Sequence, residues 1–432
     1  MRHLPAMGLK RFIYRRCEDF LDLLGVPLLS PVNYEPQRPP RIALYAASIV
    51  GLGHVARICR IAQEIRRRRP ELDLLLLTDT APDILYQLAP GLSFIHLPKY
   101  QLTKSEAEPF AERPADIGLS KQQLRDLRAN LILTTLHSFQ PSVFLCDTLP
   151  HGKRDELLPA LRFLETSRHK CRRILLLRDI PCTPAEPSKV NTLLTPTAKH
   201  HAYYDRILIA GDRTFYNVEE KLGWSPEMTQ KTRYIGYVVP ASDIPAHEHN
   251  AERRIVASFG GGWEGSDLAA PVVEAFQRLR RESPHLLKLY LSTGPSITSD
   301  VLTKVDSAAA GLNGEFVRRT FDPEFPQRLA EADLAILQGG STIFQILDSD
   351  IPILLYARDF KIQEQAERCE RVASYQGVDL IQREDFVQPD RLAQHMALAL
   401  ERPRQRRDTG LHFDGLGNAA DEVIDAAMGS AV

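Results

Sequence analysis

The 432 residues suffice for two domains of ordinary size, and 44% hydrophobic with 25% charged residues describes a soluble globular chain. A formal net charge of −1 excludes a global field that would draw it to nucleic acid. Six scattered cysteines, at 17, 59, 146, 171, 182 and 369, form no CxxC and no Cys/His cluster, which argues against a zinc site or a disulfide framework.

No apolar run reaches the roughly 18 residues of a membrane span. Residues 1–39 read as a basic helix followed by a proline-rich linker. Leu9, Phe12, Ile13, Cys17, Phe20, Leu21 and Leu24 fall at helical spacing, while Lys10, Arg11, Arg15 and Arg16 interrupt any signal-peptide core. Such a helix can lie on an anionic membrane through residues 8–24, or dock on its own domain or a second subunit. The expectation is a cytoplasmic protein with peripheral membrane contact as its finer form.

RIALYAAS (41–48), LDLLLLT, LSFIHL, VFLCD, RILLLRD and RILIAG are apolar strands, with helical patterns between most of them, and mark a first domain at 40–239. Residues 98–120, polar and dotted with proline, predict a mobile loop. Residues 240–253 predict an interdomain linker. RIVASF, LLKLYLST, EFVRR, LAIL, PILLYA and DLI then build a second domain at 254–415. The end, 416–432, predicts a helix that can cross back to the first domain. Alternating apolar strands and helices predict an α/β chain with parallel sheets covered on both faces.

Each half opens with a strand, a glycine loop and a helix. In the first, Gly51-Leu52-Gly53-His54 follows a strand. The spacing formally satisfies a dinucleotide fingerprint, with Asp79 where a ribose-binding acid would stand. That reading leaves the second glycine loop unexplained. Gly51 and Gly53 can instead let an acceptor or phosphate approach the backbone, with His54 as a neutral general base; a capping or structural histidine is the alternative. Asp147 ends a strand and can orient His54. His151 is a second candidate base, and Asp179 another acid at a strand end facing the crevice; helix caps or turns are the alternatives.

In the second half, Gly260, Gly261 and Gly262 offer free N–H groups as a diphosphate seat. Arg319 and Phe321 can flank a nucleobase. Gly339, Gly340, Ser341 and Thr342 turn a buried strand into a predicted helix, capped by hydroxyls. Arg358 ends the next strand and adds a fixed charge, and Gln363, Glu364 and Gln365 open the helix after it. Asp348-Ser349-Asp350 matches a DxD metal signature, but sits on the edge away from the glycine loops and reads as a helix end.

The segments GLGHVAR, DTLPHGKRDEL, LRDI, FGGGWEG, QGGSTIFQIL and ARDFKIQEQAERCERV, in this order over roughly 41–415, resemble the MurG-like branch of the GT-B nucleotide-sugar glycosyltransferases. The resemblance implies two Rossmann-like domains facing a cleft, the acceptor held by the first and the donor nucleotide by the second. It implies that Gln345 takes the place of a ribose-binding glutamate, and that Glu364 and Gln365 contact donor-sugar hydroxyls. It supports His54 as base and matches Arg358 to a basic residue at that strand end.

The expected activity is an inverting transferase that needs no metal or cofactor, with a UDP-sugar as co-substrate and a saccharide, lipid-linked or small-molecule acceptor. A nucleotide-sugar 2-epimerase and a non-catalytic binding protein on the same fold are the alternatives.

Overall fold

The computed structural model describes residues 39–47, 51–103, 111–114, 117–167, 169–181, 203–240, 252–263, 265–358 and 364–429. The basic helix expected at 8–24, most of the expected linker at 240–253, and Gln363 lie outside the described residues. The first half folds into strands β1 Arg41–Ala46, β2 Asp73–Thr78, β3 Ser93–His96, β4 Tyr100–Thr103, β5 Ala111–Pro114, β6 Val143–Asp147, β7 Arg172–Arg178, β8 Arg206–Ala210 and β9 Thr232–Tyr234. The second contributes β10 Glu252–Ser258, β11 Leu286–Ser292, β12 Phe316–Arg319, β13 Leu334–Gln338, β14 Ile353–Tyr356 and β15 Val378–Leu380.

Two parallel sheets result, ordered β3-β2-β1-β6-β7-β8-β9 and β12-β11-β10-β13-β14-β15. In each, the chain steps outward from the first strand and then jumps to its other side. The jumps β1 to β6 and β10 to β13 create switch points, where a crevice opens at the carboxyl ends of strands. The loops after those four strands therefore meet the same space.

The strands are apolar throughout because helices cover both faces. The helix Gly53–Arg68 buries Val55, Ile58, Cys59, Ile61, Ala62 and Ile65. Its arginine run is satisfied locally: Arg67 and Arg68 pair with Glu64, and Arg69 pairs with Glu71. The last helix, Gly415–Met428, packs on the first half, where Ala419, Ala420 and Val423 join the core around Ile58 and Ile61. Arg68 meets Asp421 at 2.7 Å, and Arg233 pairs with Glu422. No helix among the described residues is long and apolar enough to cross a membrane.

Three local expectations change. Part of the loop expected at 98–120 forms the antiparallel pair β4–β5. β9 is a seventh strand of three residues, too short to show a period. The segment after Gly339-Gly340 is a five-residue 3-10 turn, Ser341–Gln345, with no hydroxyl cap. Its side chains Ile343, Phe344, Ile346 and Leu347 are all buried, so packing rather than capping sets its course.

Asp79 does not face a ribose. It is fully buried, with Lys153 at 2.9 Å and Arg128 at 3.3 Å. Arg128 also grips Glu156, whose Oε1 accepts the Arg128 Nη2 hydrogen bond at 2.6 Å and the Tyr45 hydroxyl at 2.5 Å. Two cations and two carboxylates are thereby matched inside the first half, under the sequence GKRDEL. Arg128→Met leaves two buried carboxylates short of a partner and costs on the order of 3–5 kcal/mol in urea unfolding; an unchanged midpoint would contradict this network.

Candidate active site

β1 ends beside β6, so the first turn of the helix Gly53–Arg68 lies against Asp147, the last residue of β6. His54 and Arg57 are three residues apart and share a helix face. His54 Nδ1 is 2.7 Å from Asp147 Oδ2, and Arg57 donates to Asp147 Oδ1 through Nη2 at 2.6 Å and Nε at 3.0 Å. The Thr148 hydroxyl donates to Asp147 Oδ2 at 2.9 Å.

On the other side of the ring, Arg178 Nη2 lies 3.1 Å from His54 Nε2. A guanidinium can only donate, so Nε2 must present its lone pair and Nδ1 must carry the proton toward Asp147. Burial pushes the imidazole below its ordinary range; Asp147 pulls it back, but the Arg178 and Arg57 cations keep it low. Burial opposes the charge on Asp147, yet Arg57 and His54 hold its pKa down to about 2. The pair is thus a neutral imidazole on an anionic carboxylate, the state a general base needs.

Arg178, at the end of β7, also reaches the second half. Its Nη1 donates to Glu364 Oε1 at 2.9 Å, and Arg358 Nη2 shares the same oxygen at 2.9 Å. Next to it, Asp179 accepts two hydrogen bonds of 2.8 Å from Arg368, whose Nη1 also donates to the Gly339 carbonyl at 2.8 Å. Both acids expected to face ligands are engaged by arginine here: Glu364 by Arg178 and Arg358, and Asp179 by Arg368 of the opposite half. Arg358 is not a free charge either.

The glycine loops meet directly. A Cβ added at Gly261 would fall 2.3 Å from Gly51 Cα, so only bare backbone lets these turns touch. Gly51 therefore makes backbone contact between the halves in this closed arrangement. Gly53 stands near the Ser341 hydroxyl. The cleft left between the halves measures about 270 Å³, just below the ~300–1,000 Å³ of ligand pockets.

Of the residues proposed from sequence, Gly51, Gly53, His54, Asp179, Gly260, Gly261, Phe321, Gly340, Ser341, Thr342, Gln345, Arg358, Glu364 and Gln365 line this cleft. Asp147 stands behind His54. Like Asp147, four more fall outside the lining. His151 is tied to Asp155 at 3.2 Å and meets the Tyr203 ring edge-on. Arg319 is exposed, and its carbonyl accepts a hydrogen bond from Thr293 N–H at 2.9 Å. Gly262 backs onto the Thr293 carbonyl, and Gly339 onto Cys369 Sγ, where a Cβ would sit at 2.5 Å. Asp348 pairs with Arg406 at 2.9 Å.

Gln345 Oε1 and Gln365 Oε1 are buried acceptors with no hydrogen-bond partner among the described residues. A carbohydrate hydroxyl is the kind of donor that would satisfy them. Sequence reasoning passed over Arg57, Arg60, Arg178 and Arg368. The signal was present in part: Arg57 lies three residues after His54, and Arg368 four after Glu364, so each shares a helix face with a residue singled out from sequence.

No family model matches the chain. Its sequence is 25% identical over 348 residues to the UDP-N-acetylglucosamine--N-acetylmuramyl-(pentapeptide) pyrophosphoryl-undecaprenol N-acetylglucosamine transferase of Desulforudis audaxviator (strain MP104C), covering 76% of this chain and 82% of that protein. Its fold is similar to that of a UDP-GlcNAc 2-epimerase from Neisseria meningitidis bound to UDP-GlcNAc, with a TM-score of 0.57, 10% identity, and 90% and 100% of the two chains covered. A UDP-glucosyltransferase from Polygonum tinctorium gives 0.52, 10%, 92% and 95%. The architecture is that of the GT-B class. Within that architecture the sequence is similar to the N-acetylglucosamine transferase named above.

The imidazole environment can be read without any substrate. In an NMR titration His54 is expected to protonate with a midpoint below the ordinary 6.5. Arg178→Gln removes a cation that disfavours the imidazolium, so the midpoint rises. A wild-type midpoint at or above 6.5 would sink the assignment of His54 as a neutral buried base.

Proposed function

We propose that the protein is a glycosyltransferase that moves a sugar from a nucleotide-diphosphate donor, a UDP-sugar, to an acceptor hydroxyl with inversion at the anomeric carbon. The observation that carries the chemistry is the buried His54–Asp147 pair facing the opposite half across the cleft. The relative of similar sequence, named as a transferase of N-acetylglucosamine, supports a UDP-sugar as donor. A lipid-linked or saccharide acceptor follows the same likeness.

In this reading the acceptor hydroxyl takes the position that the Arg178 guanidinium occupies at His54 Nε2. The imidazole accepts the hydroxyl proton, and Asp147 stabilises the imidazolium that forms. The acceptor oxygen attacks the anomeric carbon from the face opposite the leaving group. The anomeric C–O bond breaks, and its electron pair leaves with the nucleoside diphosphate. Arg57, Arg60, Arg178, Arg358 and Arg368 line the cleft, so the diphosphate meets cations and backbone N–H groups, a field that repels a divalent metal. No cofactor beyond the nucleotide sugar is required. Gln345 and Gln365 accept hydrogen bonds from ribose or sugar hydroxyls.

His54→Ala should lose on the order of 10²-fold or more in turnover, as for a missing general base. UDP binding should survive: at 100 times its Kd the nucleotide stabilises wild type and variant alike by roughly 2.7 kcal/mol in thermal unfolding. Near-full turnover of the variant rejects the base assignment. The likeness to 2-epimerase structures concerns the fold, and product analysis separates the two activities, since an epimerase converts the donor with no acceptor present.

A further inference from the structure

A smaller recess of about 30 Å³ opens beside the cleft, where Arg57, Arg60, Asp179, Tyr237 and Ser341 come together from both halves. Arg57 and Asp179 are already engaged, with Asp147 and Arg368 respectively. The other three are not. Arg60 is partly exposed and has no hydrogen bond or ion pair among the described residues. Tyr237 is 3% exposed, and its ring stacks on Phe344 with centroids 3.7 Å apart. Its hydroxyl is buried with no hydrogen-bond partner. Ser341 brings a second hydroxyl from the opposite half.

The charges around the cleft and recess do not balance. Arg57, Arg60, Arg178, Arg358 and Arg368 face the carboxylates Asp147, Asp179 and Glu364, which leaves two positive charges in excess. Asp322, which also lines the cleft, is matched by Arg328 at 2.6 Å. The Tyr237 hydroxyl, buried without an acceptor, is costly in a resting site, and a bound oxyanion removes that cost. A guanidinium and two hydroxyls, all able to donate and none with an acceptor, favour a phosphate oxygen over a neutral group.

We propose that Arg60, Tyr237 and Ser341 form an oxyanion subsite that joins the two halves and takes phosphate oxygens of a substrate. The subsite stands on the recess itself; only the identity of the phosphate carrier, donor diphosphate or phosphorylated acceptor, rests on the transferase reading. The small volume admits the oxygens of one phosphate, not a nucleoside. It lies beside the seat that the second-half glycine loop offers and adds a contact from the first half.

The full chain is titrated calorimetrically with inorganic pyrophosphate and with UDP, as wild type, Arg60→Gln, Arg60→Lys and Tyr237→Phe. Arg60→Gln is expected to lose about tenfold in pyrophosphate affinity, the loss of one charge-assisted hydrogen-bonding group. Arg60→Lys retains the charge and part of the affinity. Tyr237→Phe keeps the ring stack and loses less. UDP affinity falling in parallel assigns the subsite to the donor; UDP unchanged beside weakened pyrophosphate assigns it to an acceptor phosphate. Pyrophosphate affinity equal to wild type in Arg60→Gln and Tyr237→Phe, at unchanged melting temperatures, overturns the proposal and leaves a recess for water. Weakened pyrophosphate binding in a chain that transfers no sugar keeps the subsite and removes the transferase reading instead.

Discussion

Two carboxylates at the ends of neighbouring elements hold this molecule closed. Asp179, just past β7, and Glu364, at the start of the helix Glu364–Val372, are 4% and 2% exposed, and each is met by arginine. Such pairs are strong only because both oxygens are used and water is excluded; loss of one partner leaves a charge stranded. The alternating ladder runs from Arg368 through Asp179, and from Arg358 through Glu364 to Arg178. Its last rung touches His54, so domain closure and the state of the imidazole are physically one matter.

That coupling has a chemical consequence. A guanidinium on Nε2 keeps the lone pair oriented and the ring neutral, but it also occupies the place of the proton donor in the reaction. Substrate must therefore compete with Arg178 for the imidazole. An anionic donor has the means, because it offers Arg178 and Arg358 an alternative to Glu364. The contact between Gly51 and Gly261 works in the same direction: the turns meet backbone to backbone, leaving no side chain to remove when a diphosphate comes between them.

Beneath the site, the first half devotes a second set of charges to its own stability. Arg128, Lys153, Asp79 and Glu156 are internally matched and buried, and Tyr45 completes the Glu156 hydrogen bonds. The segment bearing Lys153 and Glu156 bends sharply, with Thr148, Arg154 and Asp155 all at positive φ. Residues held in that region persist only where the surroundings over-determine them. One end of this bent segment is Thr148, which touches both members of the His54–Asp147 pair.

Apolar periodicity was enough to determine two parallel α/β halves, because a strand buried on both faces has to be apolar along its whole length. Strand-end placement was likewise enough to bring Gly51, His54, Asp147 and Gly261 toward one crevice, since carboxyl ends of parallel strands share an edge, and the family resemblance added Gln345. The resemblance to MurG-like enzymes pointed to the same residues. What the tertiary structure alone decided is which charge meets which. Arg178 and Glu364 are 186 residues apart in the chain, and Asp179 and Arg368 are 189. No local period carries such pairings, and an arginine in sequence looks the same whether it binds solvent, a carboxylate or a phosphate. Only packing of the two halves brings these partners together, and it leaves Arg60 partly exposed and without an acceptor among the described residues.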